Sequence, residues 1–247
     1  MALSTAQTRL AEVVRAQRLA LTEQWGHPRG NIAYIGVAAP TYLATRAHLF
    51  GGRTELLPGI AADRALVYID DENRPELWVQ PVVKGGPGSS HYDTDWNNFA
   101  KRYYNFDFNS ASTSDYNVDH MFPETTGERK GLSHVRAMPV DWSANQAVGR
   151  TLEAQMAERL PQPSKVIHKA TFVTFAKVSG FDESIVLPKP RGGPVDEQVI
   201  RRLIVHLQRR RLVEPGPSMR ALHLHLTRWS VTRIQGGDAD ALGPFEP

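Results

Sequence analysis

The chain has 247 residues, a formal charge of +3 and no cysteine. That length holds one large domain or two modest ones, at ~100–200 residues each, and the ordinary balance of apolar and charged residues excludes wholesale disorder. Without cysteine there can be no disulfide, thiolate zinc site or cysteine nucleophile. Any metal must be held by His, Asp, Glu or Asn, which favours Mg²⁺, Mn²⁺ or a His-ligated transition metal.

In chain order, MALSTAQTRLAEVVRAQRLALTEQWG carries charge throughout and reads as neither a secretory leader nor a membrane span. No later segment reaches the ~18 apolar residues that a spanning helix needs. The expected address is therefore cytoplasmic, or a target cell reached by a route independent of a signal peptide, with no membrane partner. Residues 5–25 predict an amphipathic helix, with Leu10, Val13, Val14, Leu19 and Leu21 interleaved with Arg9, Arg15, Arg18 and Glu23. Gly26 and Pro28 end it. NIAYIGVAAP predicts a short strand, and Thr41 to Phe50 a second helix stopped by Gly51-Gly52.

ALVYID (65–70) and ELWVQPVV (76–83) flank the turn-rich DENRP and predict a hairpin, with Pro81 assigning the second run to a sheet edge. KGGPGSSHYDTD is the strongest linker signal in the chain and suggests a boundary near residue 90. WNNFAKRYYNFDF then predicts a short aromatic helix capped by Thr94 or Asp95, its rings expected in a core rather than as a stacking surface for bases. Asn117 to Met121 is extended, residues 123–131 form a polar loop, and His134 to Val140 is extended again. Asp141 or Ser143 is then expected to cap a helix running to about Leu160.

KVIHKATFVTFAKVSGF is expected to hold a strand, VDEQVIRRLIVHLQRRRLV is a helix, and MRALHLHLTRWSVTRI alternates as a strand. His223 and His225 share one face of that last strand but have no nearby carboxylate. His168 and His206 have no partner visible in the sequence. The run Arg209-Arg210-Arg211 suits a helix C-terminus through its dipole, with a nucleic-acid backbone contact as the sharper reading. The fold class expected is α+β in three regions: 1–90 of unassigned role, 91–160 around the central stretch, and 161–247 as a further α+β region.

The chemistry concentrates between Tyr116 and Leu152. Hydrolysis of a phosphodiester needs a base to activate water, a cation for the departing oxygen, and positive groups to hold the phosphate in line. His120 has the titration range of such a base, and Asp119 with the amide oxygen of Asn145 offers hard oxygen ligands to a divalent cation. Arg136, Arg150 and His134 are candidate phosphate contacts. Alone, an Asp-His pair is ordinarily a surface or hydrogen-bonded pair and an Asn at this position a helix-start residue; their ordered combination carries the signal. Since neighbouring strand residues face opposite ways, Asp119 and His120 can serve one site only where the strand ends or distorts.

VDHMFPE…SHVRAMPV…ANQAVGR resembles the HNH, or ββα-metal, endonuclease motif in its Asp-His…Asn form, over about residues 116–152 only. The resemblance implies two antiparallel strands and a helix around one divalent cation, with Asp119 and Asn145 as ligands and His120 as general base. It also implies a nucleic-acid substrate, DNA ahead of RNA, cleaved to 5′-phosphate and 3′-hydroxyl ends. The second helix histidine of many members is missing, with Gly149 and Arg150 in that region, and there are no CxxC knuckles. Unfamiliar flanks around such a core resemble interbacterial nuclease toxins and secreted effectors, which implies an immunity or inhibitor protein or a secretion machine as partner. A phage or restriction-type endonuclease and a non-catalytic nucleic-acid-binding adaptor are the competing readings.

Overall fold

The computed structural model describes residues 5–27, 32–81, 91–108, 116–122, 127–128, 131–142, 166–170, 172–181 and 197–212. Among them helices and antiparallel strands are mixed, in an α+β arrangement. Two compact units divide the chain: Met1–Gln17, Tyr34–Pro139 and Gln162–His168 form the first, and Arg18–Ala33, Val140–Pro161 and Lys169–Pro247 the second. No described helix is long and apolar enough to cross a membrane.

The first unit is built on a seven-stranded sheet. Its strands are β1 (Tyr34–Val37), β2 (Arg53–Leu56), β3 (Ala65–Ile69), β4 (Pro75–Val79), β5 (Tyr116–His120), β6 (His134–Asp141) and β7 (Ile167–Lys169). The order is β2-β3-β4-β6-β1-β7, with β5 also paired to β6. Every residue of β3 and β4 is buried, as continuous apolar runs with both faces covered require. Leu66 and Tyr68 of β3, Trp78 of β4 and Val37 of β1 pack with Leu43 and Ala47 of α2 (Thr41–Phe50). Each large side chain fully buried in this way contributes roughly 1.5–3 kcal/mol.

The β3–β4 hairpin is closed by Asp70. Its Oδ1 accepts from the backbone N–H groups of Glu72 and Arg74, and its Oδ2 accepts from Arg74 Nε at 2.8 Å. Asn73 takes the left-handed conformation that such turns need. Pro81 does not mark an edge: β4 lies between β3 and β6, and Pro81 falls beyond its last residue. The actual edge on this side is β2, a strand the polar sequence RTEL conceals; Arg53, Thr54 and Leu56 are exposed and only Glu55 is partly covered. Nor does the boundary expected at residue 90 interrupt the sheet, since β4 and β6 pair across it with Trp78 opposite Arg136.

α3 runs from His91 to Tyr104, so Thr94 and Asp95 lie inside it rather than capping it. Asp95 is buried and accepts from Arg64, with Nε to Oδ2 at 3.1 Å. Trp96 and Phe99 are fully buried with ring centroids 4.9 Å apart, and are therefore core residues.

α1 (Thr5–Trp25) contributes Leu10, Val13 and Val14 to the first unit's core and Leu21 and Trp25 to the second's. In the second unit Trp25 meets Phe175 of α4 (Phe172–Ser179) edge-on at 6.0 Å. The β-branched, aromatic stretch that suggested only a strand thus gives β7 followed by a helix. Phe175, Ala176 and Val178 are all buried there, and packing overrides local propensity. Asp141, expected as a cap, ends β6 directly before Trp142, which is helical, and accepts from Arg18 at 2.9 Å. α5 (Glu197–Arg209) buries Leu203, Ile204 and Leu207, and Nε2 of His206 donates to the Ser179 carbonyl at 2.8 Å.

Candidate functional site

β5 alternates as a half-buried strand should: Val118 and His120 are buried and Asp119 lies on the other, partly exposed side. The strand ends at His120, and one further backbone bond to β6 follows it, from Met121 N–H to the Arg136 carbonyl at 2.8 Å. At this end the Asp119 carboxylate folds back along the chain. Its Oδ1 accepts from the His120 backbone N–H at 2.7 Å and lies 4.0 Å from His120 Nδ1. The strand end therefore lets both side chains approach each other although they leave the backbone on opposite faces. His120 itself is only 3 % exposed.

A second carboxylate stands near. Burial raises the Asp93 carboxyl above its ordinary value, and the negative charge of Asp119 raises it further. Sequence reasoning missed Asp93 because it sits in HYDTD, the end of the linker-like stretch; the structure puts it in the first turn of α3. The Asp93 and Asp119 carboxylates are hard-oxygen donors, the kind that suits Mg²⁺ or Mn²⁺. Among the described residues no group of three or more His, Asp or Glu forms a ready metal cage. Asn145, Arg150 and all of the helix expected to run to Leu160 beyond Trp142 lie outside the described residues, as does the strand with His223 and His225.

Two of the expected phosphate contacts occupy other roles. Arg136 is fully buried on β6, with Nη1 3.5 Å from Glu76 Oε1. Burial pushes its guanidinium below the usual value, Glu76 opposes that, and Arg46 adds repulsion. Glu76 also accepts two hydrogen bonds from Arg46, at 2.9 and 3.1 Å, and one from Trp78 Nε1 at 3.1 Å. Arg136 thus belongs to an interior group of two arginines about one glutamate, out of reach of a substrate phosphate. His134 is also buried: Nε2 donates to the Ala62 carbonyl at 3.0 Å, and Nδ1 lies 3.0 Å from Ser133 Oγ. Burial holds its pKa below the ordinary histidine value. With both ring nitrogens engaged, it is a structural strand histidine rather than a phosphate contact. His168, partnerless in the sequence, packs on the Phe122 ring at 4.4 Å.

No protein-family model, curated protein or solved structure matches the chain.

Proposed function

We propose that the chain is a metal-dependent endonuclease of the ββα-metal kind, acting on DNA in preference to RNA. The observation that carries this is the approach of His120 Nδ1 to Asp119 Oδ1, 4.0 Å, at the end of a strand paired to β6. A base beside a carboxylate at a strand terminus, preceding a segment headed by Asn145, is the arrangement that phosphodiester hydrolysis uses.

In this reading Asp119 and Asn145 would hold a divalent cation, Mg²⁺ or Mn²⁺, which would supply positive charge at the scissile phosphate. His120 takes the proton of the attacking water. The water oxygen bonds to phosphorus, the bond to the 3′-oxygen breaks, and that oxygen takes a proton from a second, solvent water to leave as a hydroxyl. Arg150 balances charge on the phosphate. The burial of His120 favours one competing reading, a binding scaffold that does not cut.

A plasmid-nicking assay separates the two. Wild type is expected to relax supercoiled DNA with Mg²⁺ or Mn²⁺ and to stop in EDTA. His120→Ala and Asn145→Ala are each expected to lose at least about 100-fold in rate, the low end of what a general base contributes. Supercoiled DNA left intact by wild type under every metal, or cut equally by the variants, overturns the catalytic assignment.

A further inference from the structure

We infer that the outer face of α5 is a nucleic-acid backbone-binding surface, separate in sequence from the Asp119–His120 site. A cavity of about 390 Å³ in the second unit is lined by Phe181, Arg201, Arg202, Val205, His206 and Arg209. At ~100° of helix rotation per residue, residues 201, 202, 205, 206 and 209 fall on one continuous arc. Leu203, Ile204 and Leu207 take the opposite arc and are buried. Arg201, Arg202 and Arg209 are exposed, and so are Arg210 and Arg211 just past the helix.

The lining chooses its occupant by charge and by shape. Among the described residues it contains three guanidinium groups and no carboxylate, so an anion is favoured; a planar guanidinium fork can take two phosphate oxygens at once. From Arg201 to Arg209 the helix advances about 12 Å, at ~1.5 Å per residue, enough to follow several phosphates of one strand, which recur every ~3.4 Å of duplex axis. A membrane surface fits poorly, because an interfacial helix needs an exposed apolar face. Here that face is spent inside the unit, and among the described lining residues Val205 is the one exposed apolar residue. His206 is held by Ser179 and packed against Phe181 at 5.5 Å, so the floor of the cavity is braced.

The inference takes its ligand from the nuclease reading, and the test keeps the two apart. Binding of a fluorescent DNA duplex, a single-stranded DNA and an RNA duplex is measured in EDTA, where nothing is cut. The arms are wild type, Arg201→Ala/Arg202→Ala/Arg209→Ala, the same three positions changed to Lys, and a charge-matched control, Arg15→Ala/Arg53→Ala/Arg102→Ala. The α5 alanine variant is expected to bind at least about tenfold more weakly and to flatten the slope of log affinity against log salt by about 3, one per lost phosphate contact. The lysine variant is expected to recover most of the affinity, and the control to stay near wild type. Equal losses in the control and the α5 variant overturn the inference, as does unchanged binding by the α5 variant. So does a loss confined to phosphatidylserine vesicles in a parallel arm. Binding lost only by the α5 variant, from a protein that never nicks DNA, sinks the nuclease reading and leaves this one standing.

Discussion

At the scale of single residues, the first unit rests on a charged group inside its core. Arg46, Glu76 and Arg136 are each 1 % exposed or less. Arg46 also lies 4.0 Å above the Tyr68 ring, and burial pushes that tyrosine's pKa up to about 12. Burying three ions is costly, and one carboxylate offsets two cations, so the group tolerates loss of its centre badly. Glu76→Gln keeps the shape and removes the charge; urea titration is expected to show it less stable by about 3–5 kcal/mol. Replacing all three by apolar residues of like volume is expected to restore most of that loss. A Glu76→Gln protein as stable as wild type would mean that water or another group already compensates the arginines.

His134 gives a pH signature at the same scale. Burial lowers its folded pKa, so between that value and the ordinary ~6.5 the unfolded chain holds a proton that the folded site excludes. Its contribution to stability is therefore complete above pH ~6.5 and declines as the pH falls below it. Urea midpoints at pH 7.5 and 5.5 are expected to fall further for wild type than for His134→Gln, whose amide does not titrate. A parallel fall in both would assign the loss to other groups.

At the scale of elements, local rules were legible wherever periodicity and punctuation agreed. α2 ends at Gly51 in the left-handed region (φ 84°), with its N–H bonded to the Ala47 carbonyl, as the Gly51-Gly52 pair implied. Gly51→Ala is expected to cost about 1–2 kcal/mol through backbone strain, with the added Cβ also 3.3 Å from Asp71 Cβ. Gly52→Ala should cost more, because a Cβ there meets the Ile69 carbonyl oxygen and the Tyr68 hydroxyl. Relief would pull apart the Arg53–Ile69 pairing, so faster amide exchange in β2 is the measurement that separates the two variants. What the sequence hid was long-range. β2 lacks an apolar face, α4 carries β-forming residues that packing turns helical, and Asp93 hides behind a linker-like run. Arg136 reads as a phosphate clamp in the sequence because Glu76, the carboxylate that neutralises it inside the core, lies far away along the chain. The strand end at His120, by contrast, was implied by the Asp-His pair with Pro123 soon after it.

At the scale of the whole molecule, the proposed chemistry and the proposed binding surface together threaten a host cell. A phosphodiesterase that binds backbone through arginines reads little sequence by those contacts, since phosphates carry none. Such an enzyme has no built-in restraint toward the genome of the cell that makes it. Induced expression in a bacterial cytoplasm is therefore expected to arrest growth and fragment the chromosome, and His120→Ala to restore growth at equal protein level. The α5 alanine variant should relieve toxicity in part, because it weakens capture without touching the base. The comparison also decides between roles. An effector needs this toxicity, together with a protein partner that suppresses it in the producing cell. A preparation that nicks plasmid fully yet leaves growth undisturbed must be reading sequence somewhere other than α5, which turns the assignment toward a phage or restriction-type endonuclease. Growth arrest that persists in His120→Ala would detach toxicity from cleavage altogether and leave nucleic-acid binding as its cause.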